Sequence, residues 1–181
     1  MKKFITSESV TEGHPDKICD KISDKILDTA LREDKESKMA IECTIKDNLV
    51  FIYGESKTKA KLNYAKIAKE VLKDIGYHED FEVIIKVSNQ SKEINKAVDR
   101  AKISAGDQGI MFGYATNETE GIMPLPILLA NKLTKQLSKV RKEDKNSPLL
   151  PDGKSQVTIE YENNIPKRVE TIIIASQHKE N

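Results

Sequence analysis

The sequence predicts an α+β fold made of two related units, each a sheet covered by helices. A long amphipathic helix pattern is followed by two alternating strand patterns that a two-residue turn joins, and the same order of helix and hairpin returns in the second half. The chain has 181 residues, 38% of them hydrophobic and 33% charged, which is enough to bury a core. We place the two units at residues 1–100 and 101–181.

The first helix and hairpin follow directly from residue spacing. Residues 15–33 form a helix, because isoleucines recur at every fourth position and Pro15 suits the first helical position. Residues 39–46 and 49–55 alternate as strands around Asp47-Asn48, a good two-residue hairpin turn. The sequence thus predicts a helix lying next to an antiparallel pair of strands.

Three more segments complete the first unit. Residues 58–75 form a second amphipathic helix, which Gly76 ends. Residues 82–87 form a strand, and the polar residues 88–104 have no periodicity and are predicted to be a mobile loop. The first unit therefore has two helices and three strands.

The second unit repeats this scheme loosely. We expect a buried strand at residues 110–115 and a helix at residues 124–142. A second hairpin joins residues 155–162 to residues 167–176 over Asn163-Asn164.

Charge and hydropathy exclude several classes of protein. Thirty basic and 29 acidic residues give a net charge of +1, so the net charge provides no electrostatic attraction to nucleic acid or to a membrane surface. No apolar run reaches transmembrane length, and no apolar core of a signal peptide follows Lys2-Lys3. Cys19 and Cys43 are expected to be reduced thiols that act as small hydrophobes. We therefore expect a cytoplasmic location.

The segment Gly13-His14-Pro15-Asp16-Lys17 places an imidazole, a carboxylate and an ammonium group at the start of the first helix. A helix N-terminus favours phosphate groups, and a carboxylate is a common ligand of Mg²⁺. These residues therefore predict a site for a metal-bound, phosphorylated small molecule. The alternative is local structure, in which Asp16 complements the helix dipole and His14 makes a structural hydrogen bond.

The segment Ala105–Tyr114 places Asp107 between glycines in a tight loop that runs into an apolar stretch. Exposed backbone N–H groups beside a carboxylate are typical of small-molecule sites. The alternative is a plain turn, because glycines mark turns more often than they mark phosphate sites.

Glu42 and Glu55 lie in the first hairpin, and their relation follows from its turn. With Asp47-Asn48 as the two turn residues, Glu42 pairs with Tyr53 and Ala40 pairs with Glu55. The two glutamates are then diagonal neighbours about 7–8 Å apart on the face away from the core. Solvated strand residues are the alternative interpretation.

Together with their neighbours, these segments closely resemble the S-adenosylmethionine synthetase (methionine adenosyltransferase) family. The ordered match begins at Thr6-Ser7-Glu8-Ser9-Val10, is longest at residues 109–119, and reaches Ser176-Gln177-His178. The resemblance implies an α+β fold with repeated units of antiparallel or mixed sheet covered by helices. It also implies that this chain is incomplete relative to the family's three units.

The resemblance further implies roles for individual residues. His14, Asp152, Gly153 and Lys154 would bind ATP, with His14 and Lys154 also catalytic. Asp16 would bind Mg²⁺ and Glu42 would bind K⁺. Glu55, Gln90 and Asp107 would contact methionine. Residues 90–100 resemble the family's flexible loop that gates the active site, although a plain polar surface loop is the alternative for all of them except Gln90.

The implied reaction is attack of the methionine sulfur on C5′ of ATP, with release of triphosphate that is then hydrolysed to phosphate and diphosphate. The family also has a stretch ending in Ser-Gly-Lys-Asp, which this sequence lacks. Three interpretations stay open. The chain is half of a split or truncated enzyme, a non-catalytic ATP- or methionine-binding or regulatory partner of a full-length enzyme, or an inactive remnant. Association with itself or with a complementary C-terminal chain is expected.

Overall fold

The computed structural model describes residues 1–89, 109–144 and 146–180. In these ranges the elements in chain order are β1 (Lys2–Val10), α1 (Pro15–Glu33), β2 (Lys38–Lys46), β3 (Leu49–Lys57), α2 (Tyr64–Ile75), β4 (Glu82–Asn89), α3 (Leu125–Glu143), β5 (Leu149–Glu162) and β6 (Ile165–His178). The strands form two three-stranded sheets, ordered β1-β5-β6 and β2-β3-β4. The predicted α+β class is confirmed. Of the helices in the described ranges, none is long and apolar enough to cross a membrane.

Two compact units make up the chain. The discontinuous unit consists of Met1–Lys17 and Phe112–Asn181, and the continuous unit consists of Ile18–Met111. The sequence-order units at residues 1–100 and 101–181 stay a prediction.

In the discontinuous unit, β5 lies between β1 and β6 and is antiparallel to both. The register of β1 on β5 runs from Lys2 opposite Glu162 to Val10 opposite Lys154. Helix α3 covers one face of this sheet, because side chains at alternate positions of β5 are apolar and point the same way. The buried residues of this core are Ala130, Val157, Ile159 and Tyr161.

The predicted hairpin at Asn163-Asn164 is confirmed. Both asparagines have positive φ angles, 51° and 65°, as a tight hairpin turn requires. Its strands are longer than predicted, because β5 already begins at Leu149 and β6 continues to His178.

In the continuous unit, β3 pairs antiparallel with β2 and parallel with β4. Helices α1 and α2 pack on one face of this sheet, with Cys43 buried among them and Cys19 packed against the same core. Burial raises the pKa of the Cys43 thiol. The other buried residues of the core are Ile18, Ile22, Ile26, Val50, Ile52, Ile67, Ala68, Val71, Leu72, Ile75 and Phe81.

Two local predictions need correction, and one strand was missed. The strand expected at residues 110–115 is wrong, because this segment has no regular structure and Phe112 is 93% exposed. Helix α2 begins at Tyr64 and not at residue 58, because the Asn63 side chain accepts a hydrogen bond from the Lys66 N–H at 3.0 Å and caps it. Strand β1 was not predicted at all.

Candidate functional site

The residues around His14 form a tight turn followed at once by helix α1. The His14 N–H donates to the Thr11 carbonyl at 3.2 Å, which closes the turn Thr11–His14. The imidazole then caps the helix, because the Asp16 N–H donates to His14 Nδ1 at 3.3 Å. In the neutral ring this hydrogen bond assigns the proton to Nε2, which is then a donor.

Asp16 lies in the first turn of α1 with its side chain 89% exposed, and one of its oxygens is 3.9 Å from His14 Nδ1. Across residues 1–89, 109–144 and 146–180, no group of three or more acidic, histidine or cysteine side chains is placed to hold a metal ion. A single carboxylate is compatible with Mg²⁺, which usually keeps several waters and takes further oxygens from substrate phosphates. Asp16 can therefore supply one protein ligand to a magnesium ion carried by a nucleotide.

The turn Thr11–His14 is docked on the first residues of β5. The Thr11 N–H donates to the Gly153 carbonyl at 2.8 Å, and the Thr11 hydroxyl donates to the Pro151 carbonyl at 2.7 Å. A Cβ atom on Gly13 would lie 2.4 Å from the carbonyl carbon of Pro151, so only glycine permits this approach. The fold thus brings the two predicted ATP segments together inside the discontinuous unit.

Asp152 carries the most informative polar atom of the site. Its Oδ1 is buried and has no hydrogen-bond partner in the part of the chain that the structure describes. Buried polar atoms are nearly always paired, so this oxygen is available to accept a hydrogen bond from water or to contact an ion or a bound molecule. The exposed Lys154 comes two residues later in the same strand and shares its face.

Gly153 also lies close to its neighbours. A Cβ atom at this position would lie 2.8 Å from Leu137 Cδ2 of α3 and 3.2 Å from Thr11 Cγ2. A side chain at residue 153 would therefore push against the side chains of Leu137 in α3 and Thr11 in the turn, and at least one of them would have to shift.

The second pair of candidates lies in the continuous unit. The derived register is confirmed, with Glu42 opposite Tyr53 and Ala40 opposite Glu55. Glu42 is exposed and Glu55 is half-buried, on the sheet face away from the helices. The ring of Tyr53 stacks on Phe51 with 5.1 Å between centroids, so this face has an aromatic as well as an acidic part.

The proposed roles of Gln90 and Asp107 stay predictions, because both residues lie outside the described ranges. Sequence reasoning missed three residues that shape the site: Thr11, Arg141 and Lys142. The two cations at the end of α3 carry no motif, and only the fold places them beside residue 12.

Comparison with known proteins gave concordant matches over almost the whole chain. The S-adenosylmethionine synthetase N-terminal domain matches residues 2–100, and the central domain of the same family matches residues 102–181.

Three relatives are each named S-adenosylmethionine synthase. The protein of Clostridium botulinum (strain Alaska E43 / Type E3) is 45% identical over 99% of this chain and 51% of its own length. That of Prochlorococcus marinus (strain AS9601) is 48% identical over 98% of this chain and 48% of its own. That of Finegoldia magna (strain ATCC 29328 / DSM 20472 / WAL 2508) is 45% identical over 97% of this chain and 50% of its own length. The chain thus spans about half the length of the curated relatives it matches.

Proposed function

This chain belongs to the S-adenosylmethionine synthetase family, and we propose that it provides part of a site that forms S-adenosylmethionine from ATP and L-methionine. In this reaction the methionine sulfur attacks C5′ of ATP, and the triphosphate that leaves is hydrolysed to phosphate and diphosphate. The observation that carries the proposal is the docking of the turn Thr11–His14 on Pro151–Gly153, next to the unpaired Oδ1 of Asp152.

In the proposed site, His14 and Lys154 stabilise the negative charge that develops on the triphosphate. The His14 ring is oriented by its bond from the Asp16 N–H, so its Nε2–H is the free donor for a phosphate oxygen. Lys154 adds an ammonium group, and Asp152 and Gly153 complete the ATP contacts. The N-terminus of α1 contributes partial positive charge.

Two cations belong to the proposal. Mg²⁺ would be held by Asp16 and would shield the phosphate oxygens when bound. K⁺ would be held by Glu42, which is exposed at the acidic face of the second sheet. Methionine would be contacted by Glu55, Gln90 and Asp107, whose carboxylates and amide suit an amino acid carrying both charges.

A second candidate function is a non-catalytic ATP- or methionine-binding or regulatory partner of a full-length enzyme. The charges assigned to the phosphates favour it, because Lys154, His14 and Mg²⁺ are only part of the several positioned cations that a leaving group with roughly four negative charges needs, and Arg141 and Lys142 are paired with Glu12. Under either function the chain would associate with a second copy or with a complementary chain.

Calorimetry with ATP tests the nucleotide site. The chain should bind ATP more tightly with Mg²⁺ than with a chelator, and Asp16→Ala should remove that difference because it removes the protein ligand. Asp20→Ala, an exposed carboxylate one turn later in α1, is the matched control and should behave like the parent chain. Equal Mg²⁺ dependence in Asp16→Ala and the parent would contradict the assignment.

A product assay separates the two functions. With ATP, methionine, Mg²⁺ and K⁺, the chain alone should form at least about 10³-fold less product than a full-length relative, because His14 and Lys154 supply only part of the charge stabilisation that the triphosphate needs. Adding the C-terminal half of a relative should restore turnover if the chain is part of a split enzyme. Binding without product in both mixtures would favour the regulatory function, and strong synthesis by the chain alone would refute this division of roles.

A further inference from the structure

Glu12 lies in the middle of the docked turn and is held by the last turn of α3. Its Oε1 is 2.7 Å from Arg141 Nη2 and 2.7 Å from Lys142 Nζ. The Glu12 and Arg141 side chains are only 17% and 13% exposed, whereas Lys142 is 50% exposed. Because the first pair is largely screened from water, it is a stronger constraint than a surface ion pair.

The end of α3 is itself anchored on the other side of the site. Leu137, one turn before Arg141, meets the backbone of Gly153, where a Cβ atom would come within 2.8 Å of it. Gly153 in turn accepts the Thr11 N–H at 2.8 Å. The last two turns of α3 thus contact both halves of the proposed ATP site. They hold the turn Thr11–His14 through its Glu12, and they contact β5 through Leu137 of α3.

The turn needs such a constraint because of its glycine. Gly13 must lack a side chain to approach Pro151, and a residue without Cβ has wide conformational freedom. Rotation at Gly13 would swing His14 and the start of α1 away from β5. The ion pairs of Glu12 fix the part of the turn before Gly13 without occupying the space beside Pro151, and the hydrogen bond from the His14 N–H to the Thr11 carbonyl at 3.2 Å ties His14 to that part.

We propose that Glu12 is a positioning residue: its ion pairs with Arg141 and Lys142 hold the turn Thr11–His14 on β5 and so fix the ring of His14 for phosphate binding. This inference rests on the proposed ATP-binding function. In this role Glu12 does not contact ATP directly and acts through the backbone of Gly13 and His14.

The direction in which Glu12→Gln changes the affinity for ATP distinguishes a positioning role from a simple effect of charge. Glu12→Gln removes a negative charge near the proposed phosphate site, so a role limited to the electric field predicts tighter binding of ATP. A positioning role predicts weaker binding, because the turn loses its anchor. We expect affinity for Mg²⁺-ATP to fall about tenfold, the loss typical of one charged hydrogen bond.

A second readout does not depend on ATP. In the chain without nucleotide, nitrogen NMR of the His14 ring should show one dominant tautomer with the proton on Nε2, because Nδ1 accepts from the Asp16 N–H. In Glu12→Gln the two nitrogen shifts should move towards a tautomer average. His14→Gln identifies the signal among the three histidines of the chain.

Glu143→Gln is the matched control, since it makes the same charge change on α3 in an exposed pair with Lys139 at 3.8 Å. It should alter neither the ATP affinity nor the His14 signal. Arg141→Lys keeps every charge and should weaken ATP binding in the same direction as Glu12→Gln, which keeps the test valid if Glu12→Gln does not fold.

Unchanged or tighter ATP binding together with an unchanged His14 signal in both variants would overturn the positioning role. If the parent chain does not bind Mg²⁺-ATP, the proposed function fails, while the His14 signal still decides whether Glu12 positions the turn.

Discussion

At the scale of single residues, the close approach of Gly13 to Pro151 is the most demanding contact of the proposed ATP site. Gly13→Ala would place a methyl group 2.4 Å from two carbons of Pro151, so the turn has to withdraw from β5. We expect a loss of about 1–3 kcal/mol in the free energy of unfolding. The affinity for Mg²⁺-ATP should fall as well, because His14 moves with the turn.

Thermal unfolding and ATP calorimetry of Gly13→Ala measure both effects. Gly121→Ala is the control, since its added Cβ would meet nothing within 4 Å. If the two alanine variants behave alike, the docking of the turn on Pro151 contributes nothing to stability or binding.

The residues of the site differ in how far the sequence predicts them. His14 and Asp16 stand in a short segment whose composition already suggests phosphate and metal chemistry, whereas Asp152 and Lys154 were assigned through the family resemblance, and the fold brings the two segments together. Glu12 directly precedes the first of these segments, but its ion pairs depend on where α3 ends. The residues around Glu12 carry no information about how close the end of α3 lies to them in the fold. The constraint that α3 places on the turn therefore appears only in the structure.

At the scale of elements, one buried carboxylate links all three strands of the sheet in the discontinuous unit. Glu160 of β5 is 5% exposed, and its oxygens lie 2.8 Å from Lys2 Nζ of β1 and 2.7 Å from Arg168 Nη2 of β6. The hydrogen bond from Lys2 lowers the pKa of Glu160 from its ordinary 4.5, the charge of Arg168 lowers it further, and burial opposes both.

This lowered pKa predicts how stability changes with acid. The unfolded chain binds a proton at Glu160 at a higher pH than the folded chain does, so the stabilisation is present above about pH 4.5 and is lost as the pH falls through the folded-state value. Glu160→Gln should therefore lower the unfolding temperature most at neutral pH, and its difference from the parent should shrink below pH 4.5. The exposed Glu120 gives the control Glu120→Gln, which should follow the parent at every pH. A constant difference across the acid range would show that the charge of Glu160 is not what stabilises the sheet.

Helices and hairpins were predictable here because their signals are local. The isoleucines that recur at every fourth residue predict α1, and Asp47-Asn48 predicts the first hairpin. Both signals span only a few residues, and both elements are confirmed. Strand β1 was missed because its pairing partner is β5, far away in the sequence, and its side chains are at most half-buried. At residues 110–115 a strand was predicted that the fold does not form. An apolar run predicts a buried strand whether or not other elements of the fold cover it.

At the scale of the whole molecule, the discontinuous unit is closed by the pairing of the first strand with β5. The amides of β1 find their strand partners in β5 alone among the described residues, whereas β2 and β3 belong to the other core. Native opening occurs in cooperative units, so protection of β1 should follow the core of β5 and not the core of its neighbours in sequence.

Hydrogen exchange in increasing urea, read by mass spectrometry, tests this division with two matched core variants. Ile159→Ala and Ile52→Ala each empty a fully buried site, one in β5 and one in β3, and each should cost about 2–5 kcal/mol. Ile159→Ala should expose β1 and β5 to exchange at lower urea and leave β2 and β3 less affected, because the apolar contacts it removes belong to the core under α3. Ile52→Ala should do the reverse, since its contacts lie under α1 and α2.

Protection of β1 that follows β2 and β3 in both variants would contradict the two-unit organisation. If protection of β1 instead follows β5 in both variants, the placement of residues 1–17, including His14 and Asp16, depends on the stability of β5.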